Sequence, residues 1–299
     1  MRPIFIPLSV SLVLLALACA GGSDPARFRK VLEERLAILP GGVVVGIASE
    51  DLLTGNRVLI NDQVQMHAAS TMKVPVMVEV FAQAAQARFA LTDSILVTNK
   101  FHSIVDSSEY WMDISEGSDS ATYHLVGRRA TIYDLTYAMI TVSSNLATNN
   151  LIALVGAGNV MATLKSIGVR QMQVLRGVED LLAYRQGLSN TTNARVMMVV
   201  MSAIARGQVV SPQVCAQMRT ILLAQQFNDK IPRLLPPDVK VAHKTGNITA
   251  IDHDAAIVYL PDGRSYSLTI LTSGIEDHHE AQALVAELSL IVYRYYQDD

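Results

Sequence analysis

Ser70-Thr71-Met72-Lys73-Val74-Pro75-Val76-Met77-Val78 is the stretch from which the rest of the chain can be read. The apolar run from Val74 predicts a helix, and a serine and a lysine three residues apart near its start project from one face. A serine hydroxyl is a poor nucleophile until a neighbouring base takes its proton. A lysine amine one turn away can be that base or relay to it. The pair alone carries little weight, because the same residues also describe a helix cap followed by a solvated lysine. Two later segments alter that. Ser143-Ser144-Asn145 follows the apolar run 138–142, and Lys244-Thr245-Gly246 follows Val239-Lys240-Val241-Ala242.

In this order the three elements resemble the signature of class A β-lactamases and penicillin-binding proteins, a family of active-site serine hydrolases. The middle element departs, with Ser144 where the family usually has Asp. The similarity of pattern covers roughly residues 25–296. It implies that Ser70 is the nucleophile and that Lys73 points into the cleft, its pKa lowered by repulsion from Lys244. Ser143 would relay a proton to the leaving nitrogen, and Asn145 would hydrogen-bond the substrate's amide side chain. Lys244 and Thr245 would meet a substrate carboxylate from an edge strand, and Gly246 would let the substrate approach the backbone. The N–H groups of Ser70 and Asn247 would form the oxyanion hole.

Two places depart further from the family. Its members hydrolyse the acyl-enzyme with a water held by a Glu, with an Asn four residues later, in a loop closed by an Arg–Asp ion pair. Here the matching loop runs over residues 176–190. Glu179 is the candidate base, but it lies three residues after Arg176 rather than two, and Ala183 stands in place of the Asn. Asn190 is a neutral partner for Arg176. Glu179 reads equally well as a plain loop carboxylate. His253 takes the place of a strand arginine that helps bind the β-lactam carboxylate, with Asp254 beside it to raise its pKa or tie it up.

Composition narrows the class. Of 299 residues 50% are hydrophobic, enough for a large core, and the net charge of −3 argues against a nucleic-acid partner. Arg2 and the apolar run 4–18 read as an export segment, too short for a comfortable membrane span. Small residues around position 18 suit an ordinary signal peptidase. Leu15-Ala16-Leu17-Ala18-Cys19 also resembles a bacterial lipobox, so lipidation of Cys19 and a membrane tether are open. The expected location is periplasmic or extracellular. Cys215 is then the one cysteine left, read as a small core residue without a disulfide. His278-His279 and the other histidines lack ligand spacing, so no metal and no cofactor are expected.

The pattern predicts an α/β (α+β) fold, an antiparallel sheet built from both chain ends, flanked by helices, with an inserted all-helical part. Helix over 25–39, strands over 43–48 and 57–60, strands over 240–243, 255–259 and 267–272, and a terminal helix over 277–296 carry this reading. Residues 1–20 are the signal peptide. Residues 25–299 are the β-lactamase-like domain, with 25–69 and 230–299 forming the α/β part and 70–229 the helical part. The stretch 101–127, with Trp111 and several Asp and Ser residues, matches nothing in the pattern. The function expected is a secreted serine β-lactamase acting through a Ser70 acyl-enzyme, as a monomer on a small-molecule acyl donor. The alternatives are a D-Ala-D-Ala peptidase or esterase of the same scaffold, and a penicillin-binding sensor or lipoprotein acylated without turnover.

Overall fold

The structure, a computed structural model, describes residues 25–114 and 119–298; the export segment and Cys19 lie outside the described residues. Helix α1 (Pro25–Ala37) leads into β1 (Val44–Asp51) and β2 (Arg57–Ile60), then a short β3 (Met66–His67), a 3-10 turn over Ala69–Met72, and α2 (Lys73–Ala85). Short strands β4 (Ser94–Leu96), β5 (Phe101–His102) and β6 (Glu109–Tyr110) precede α3 (Ser120–Tyr123) and β7 (Arg129–Thr131). Helices α4 (Ile132–Thr141), α5 (Asn145–Val155), α6 (Ala157–Ser166) and α7 (Leu181–Arg185) follow, then β8 (Thr191–Thr192), α8 (Ala194–Ala205) and α9 (Pro212–Leu223). The chain closes with β9 (Lys240–Ile248), β10 (Ile251–Tyr259), β11 (Ser265–Ser273) and α10 (His278–Asp298).

Both chain ends build one antiparallel sheet in the order β2-β1-β11-β10-β9. Alternation along each strand sends side chains to opposite faces. On one face Ile47, Tyr266, Leu268 and Ile270 pack with Phe28 and Leu32 of α1 and with Leu284, Val285, Leu288 and Val292 of α10. On the other, Ala48 and Leu271 meet Ala194 and Met198 of α8. The apolar face of the terminal helix is therefore the sheet's cover.

The helical part has its own core, and α2 runs through it. Every residue of α2 from Lys73 to Gln83 is buried, and α4, α5 and α6 pack around it. A helix enclosed on all sides has no freedom to roll, so its first residue is held where packing places it. The described residues of 101–127 include the small β5–β6 hairpin and α3, and the β7 that follows pairs with β4. The helical part meets the sheet where the 3-10 turn lies against β9, the edge strand.

Candidate active site

Ser70 sits in the 3-10 turn rather than in the α-helix, which begins at Lys73. The turn is entered through Ala69 at φ 45°, a left-handed conformation that costs a non-glycine residue about 1–3 kcal/mol. Local hydrogen bonds hold it. The Ala69 N–H donates to Nδ1 of His67 at 3.0 Å, and the Thr71 hydroxyl donates to the Ala68 carbonyl at 2.6 Å. Gly246 is needed for a reason the sequence did not reveal. A Cβ at this position would stand 2.9 Å from Ser70 N, 3.0 Å from Thr71 N and 3.2 Å from the Ala69 Cβ. The missing side chain admits the serine's own turn against the strand.

Lys73 reaches across the cleft. Its fully buried side chain donates to the Ser143 carbonyl at 2.7 Å, the Ser143 hydroxyl at 3.1 Å and Oδ1 of Asn145 at 2.7 Å. Burial lowers its pKa to about 7, opposed in part by the Glu179 carboxylate. Lys244 is buried beside it, and its pKa is pushed well down by burial first, then by repulsion from Lys73 and Lys230. Lys244 donates to the same Ser143 hydroxyl at 3.0 Å and to the Thr245 carbonyl at 2.8 Å. Two amine groups thus occupy the acceptor side of one hydroxyl, and the chemistry left to that hydroxyl is donation. Ser143 itself is left-handed, at φ 56°. Ser144, the departure from the family pattern, caps α5 by accepting the Ala147 N–H at 3.2 Å. An Asp makes the same kind of cap, which accounts for the exchange.

Glu179 joins this network. Asn145 Nδ2 donates to Glu179 Oε1 at 2.8 Å while Asn145 Oδ1 accepts from Lys73, so one amide links the lysine to the carboxylate. Glu179 is also left-handed, at φ 63°. Its loop is closed by neutral hydrogen bonds. Asn190 Oδ1 accepts from the Leu175 and Arg176 N–H groups at 2.8 and 3.3 Å, and its Nδ2 donates to the Arg176 carbonyl at 3.0 Å. The Arg176 guanidinium turns to the carbonyls of Leu188 and Gly177. Asn149 grips Val178 on both backbone groups, accepting its N–H at 2.7 Å and donating to its carbonyl at 3.0 Å. Asp180 caps α7 and accepts from the Ser103 hydroxyl and the Ile104 N–H, which ties the loop to the β5–β6 hairpin.

His253 does not face the cleft. Its ring is buried in the sheet, with Nδ1 accepting the Thr272 N–H at 3.2 Å and Nε2 donating to the His67 carbonyl at 2.9 Å. Burial brings its pKa down to about 4. Asp254 cannot raise it, because adjacent strand residues point to opposite faces; Asp254 bonds His243 at 3.0 Å and the Ile231 N–H at 3.1 Å. The expectation that His253 replaces the family's carboxylate-binding arginine is corrected by this geometry. Lys230, which nothing in the sequence singled out, does reach the cleft. Ser70, Ser143, Asn145, Thr245 and Asn247 line a cleft of about 320 Å³ together with Lys230 and with Gln282 of α10.

Asn149, Asp180, His67 and Lys230 were all missed. The Gly177 position holds the one usable signal, since a Cβ there would lie 2.3 Å from the Asn149 amide oxygen. Among the described residues no cluster of three or more His, Cys, Asp or Glu is arranged to hold a metal ion, and no helix is long and apolar enough to cross a membrane.

The fold is shared with solved structures. A β-lactamase from Sphaerobacter thermophilus DSM 20745 is 24% identical, with TM-score 0.73 over 91% of this chain and 96% of that one. A point mutant of PBP-A, solved as an acyl-enzyme complex with penicillin G, is 22% identical, with TM-score 0.79 over 92% and 97%. The TLA-3 extended-spectrum β-lactamase is 16% identical, with TM-score 0.80 over 91% and 99%. No curated protein sequence matches the chain. The sequence model of the β-lactamase enzyme family matches residues 27–296. That span takes in the whole sheet, the helical part and the cleft between them, and the chain belongs to the β-lactamase enzyme family.

Proposed function

We propose that the chain is an exported serine β-lactamase that opens the β-lactam amide through an acyl-enzyme on Ser70. The observation that carries the reading is the single hydrogen-bonded chain from Lys244 through Ser143 and Lys73 to Asn145 and Glu179. With its pKa near 7, Lys73 is neutral in a large fraction of molecules at neutral pH and can take the Ser70 proton. Attack forms the Ser70–acyl bond, and the oxyanion is met by the N–H groups of Ser70 and Asn247. Ser143 then passes a proton to the departing lactam nitrogen, recharged from the lysines that hold it. Asn145 holds the acylamino side chain, while Thr245, Lys244 and Lys230 meet the carboxylate. For release, Glu179 takes a proton from a water that attacks the ester, and Ser70 leaves with its hydrogen restored.

The PBP-A mutant, similar in fold, carries penicillin G as an acyl group, which supports a penicillin as the first substrate to try. The test is an intact-mass time course with a penicillin. Wild type should acylate and clear within the assay, Ser70→Ala should take up nothing, and Glu179→Gln should acylate and stay acylated. An adduct that persists on the wild type for hours fits the reading of a penicillin-binding protein without turnover. Preference for a D-Ala-D-Ala peptide or ester over penicillins would move the assignment to a peptidase. Export rests on the apolar run 4–18, and lipidation of Cys19 is checked by fatty-acid labelling of wild type against Cys19→Ser.

A further inference from the structure

Lys230 is a deeply buried cation at the carboxylate end of the cleft, and its surroundings connect it to solvent through one side chain. Its side chain is 4% exposed, and the ammonium lies 2.9 Å from Asp252 Oδ1. It also donates to the carbonyls of Gly246 and His253, each at 3.3 Å. Asp252 is fully buried on β10, which packs against α10. Its second oxygen, Oδ2, is 2.6 Å from Nδ1 of His278. His278 is the first residue of α10, and its side chain is 42% exposed. Gln282, one turn further along the same helix, lines the cleft. A single carboxylate is therefore shared between a cation that faces substrate and an imidazole that faces water.

We propose that His278 is a positioning and specificity residue, which through Asp252 sets how much positive charge Lys230 presents to an anionic acyl donor. With the imidazole neutral, Asp252 and Lys230 balance each other and the end of the cleft has no net charge. With the imidazole protonated, Asp252 is shared between two cations and the three groups carry one net positive charge, with Asp252 and Lys230 buried. The other charged and titratable groups near His278 are Asp277, whose carboxylate accepts the His279 and Glu280 N–H groups, and the exposed His279 and Glu280 beside it. These lie on the solvent side. Asp252 is the charged group that touches both His278 and Lys230.

The inference rests on the cleft being an acyl-transfer site, and the experiment separates the two. KM and kcat are measured from pH 5.5 to 8 for two acyl donors alike except that one bears the free carboxylate and the other its methyl ester. In wild type the KM for the acid should fall by about three- to tenfold as pH falls, relative to the methyl ester, with no matching difference in kcat. His278→Asn keeps a donor for Asp252 but cannot titrate, and should flatten that ratio with kcat preserved. A ratio that keeps its pH dependence in His278→Asn overturns the proposal. If no donor acylates Ser70, the function reading fails first and a second measurement decides this one. The titration of the His278 ring, followed by NMR in the free enzyme, should differ between wild type and Lys230→Met. An unchanged curve means that the two residues are not linked.

Discussion

Gly246→Ala is the sharpest probe of how this cleft is assembled, because the atoms it would disturb are backbone. The added Cβ would lie 2.9 Å from Ser70 N and 3.0 Å from Thr71 N, while ordinary contact begins near 3.4 Å. Neither neighbour is the flexible end of a side chain, so the turn or the strand must retreat by about 0.5 Å in a close-packed seam. Overpacking of this kind costs about 1–3 kcal/mol of stability. The catalytic cost should be larger, because the same movement displaces Ser70 N–H from the oxyanion. Removal of one such donor lowers turnover by roughly 100- to 1000-fold, and a partial displacement should cost about 10- to 100-fold in acylation. The assay is stopped-flow acylation by a chromogenic cephalosporin, with thermal unfolding run in parallel to confirm a native fold. A folded Gly246→Ala enzyme that acylates within about twofold of wild type would refute the reasoning, since the close approach would then have no part in placing Ser70.

Other outcomes follow from the same geometry. The acylation rate should rise as pH passes about 7 and Lys73 loses its proton, and Lys73→Arg, which cannot deprotonate, should abolish the rise; a flat profile from pH 6 to 8 counts against Lys73 as base. Stability carries the same sign. Between about 7 and the ordinary 10.5 the unfolded chain binds a proton that the folded chain has lost, so the penalty of burying Lys73 is full below 7 and fades as pH climbs. In urea unfolding, wild type should therefore gain on Lys73→Met between pH 6.5 and 9. Asn149→Ala removes both backbone bonds to Val178 and should destabilise by about 1–3 kcal/mol while slowing adduct release more than adduct formation; equal slowing of both steps would contradict a loop-specific role. Asp254→Ala removes the carboxylate shared by His243 Nδ1 and the Ile231 N–H, and should cost about 3–5 kcal/mol by denaturant titration.

Much of the fold was legible from local pattern. Residues 43–48 and 57–60 read as strands and fall on β1 and β2, Gly55 turns between them at φ 79°, and the terminal helix keeps one apolar face. The three motifs also lie where short-range spacing puts them, since a serine and a lysine three residues apart stay together in a 3-10 turn or an α-helix alike. What was missed depends on residues far away in the chain. Counting along the strand placed His253 in the arginine's position, but pairing of Gly246 with His253 sends that ring to the face of the nucleophile's turn, where His67 holds it. Lys230 looks like any surface lysine until the strand carbonyls and Asp252 close around it. The segment around Glu179 departs in spacing, yet Asn149, Asn190 and Asp180 bring its carboxylate to Asn145.

By itself the sequence determined which chemistry this protein carries, because a hydroxyl, an amine and their spacing are covalent facts of the chain. Tertiary structure alone decided how that chemistry is tuned. The depressed pKa of Lys73 comes from burial inside a helix enclosed on every side, and the turning of His253 away from the cleft comes from strand register. Burial and register arise from contacts between residues distant in sequence, and no local pattern encodes them.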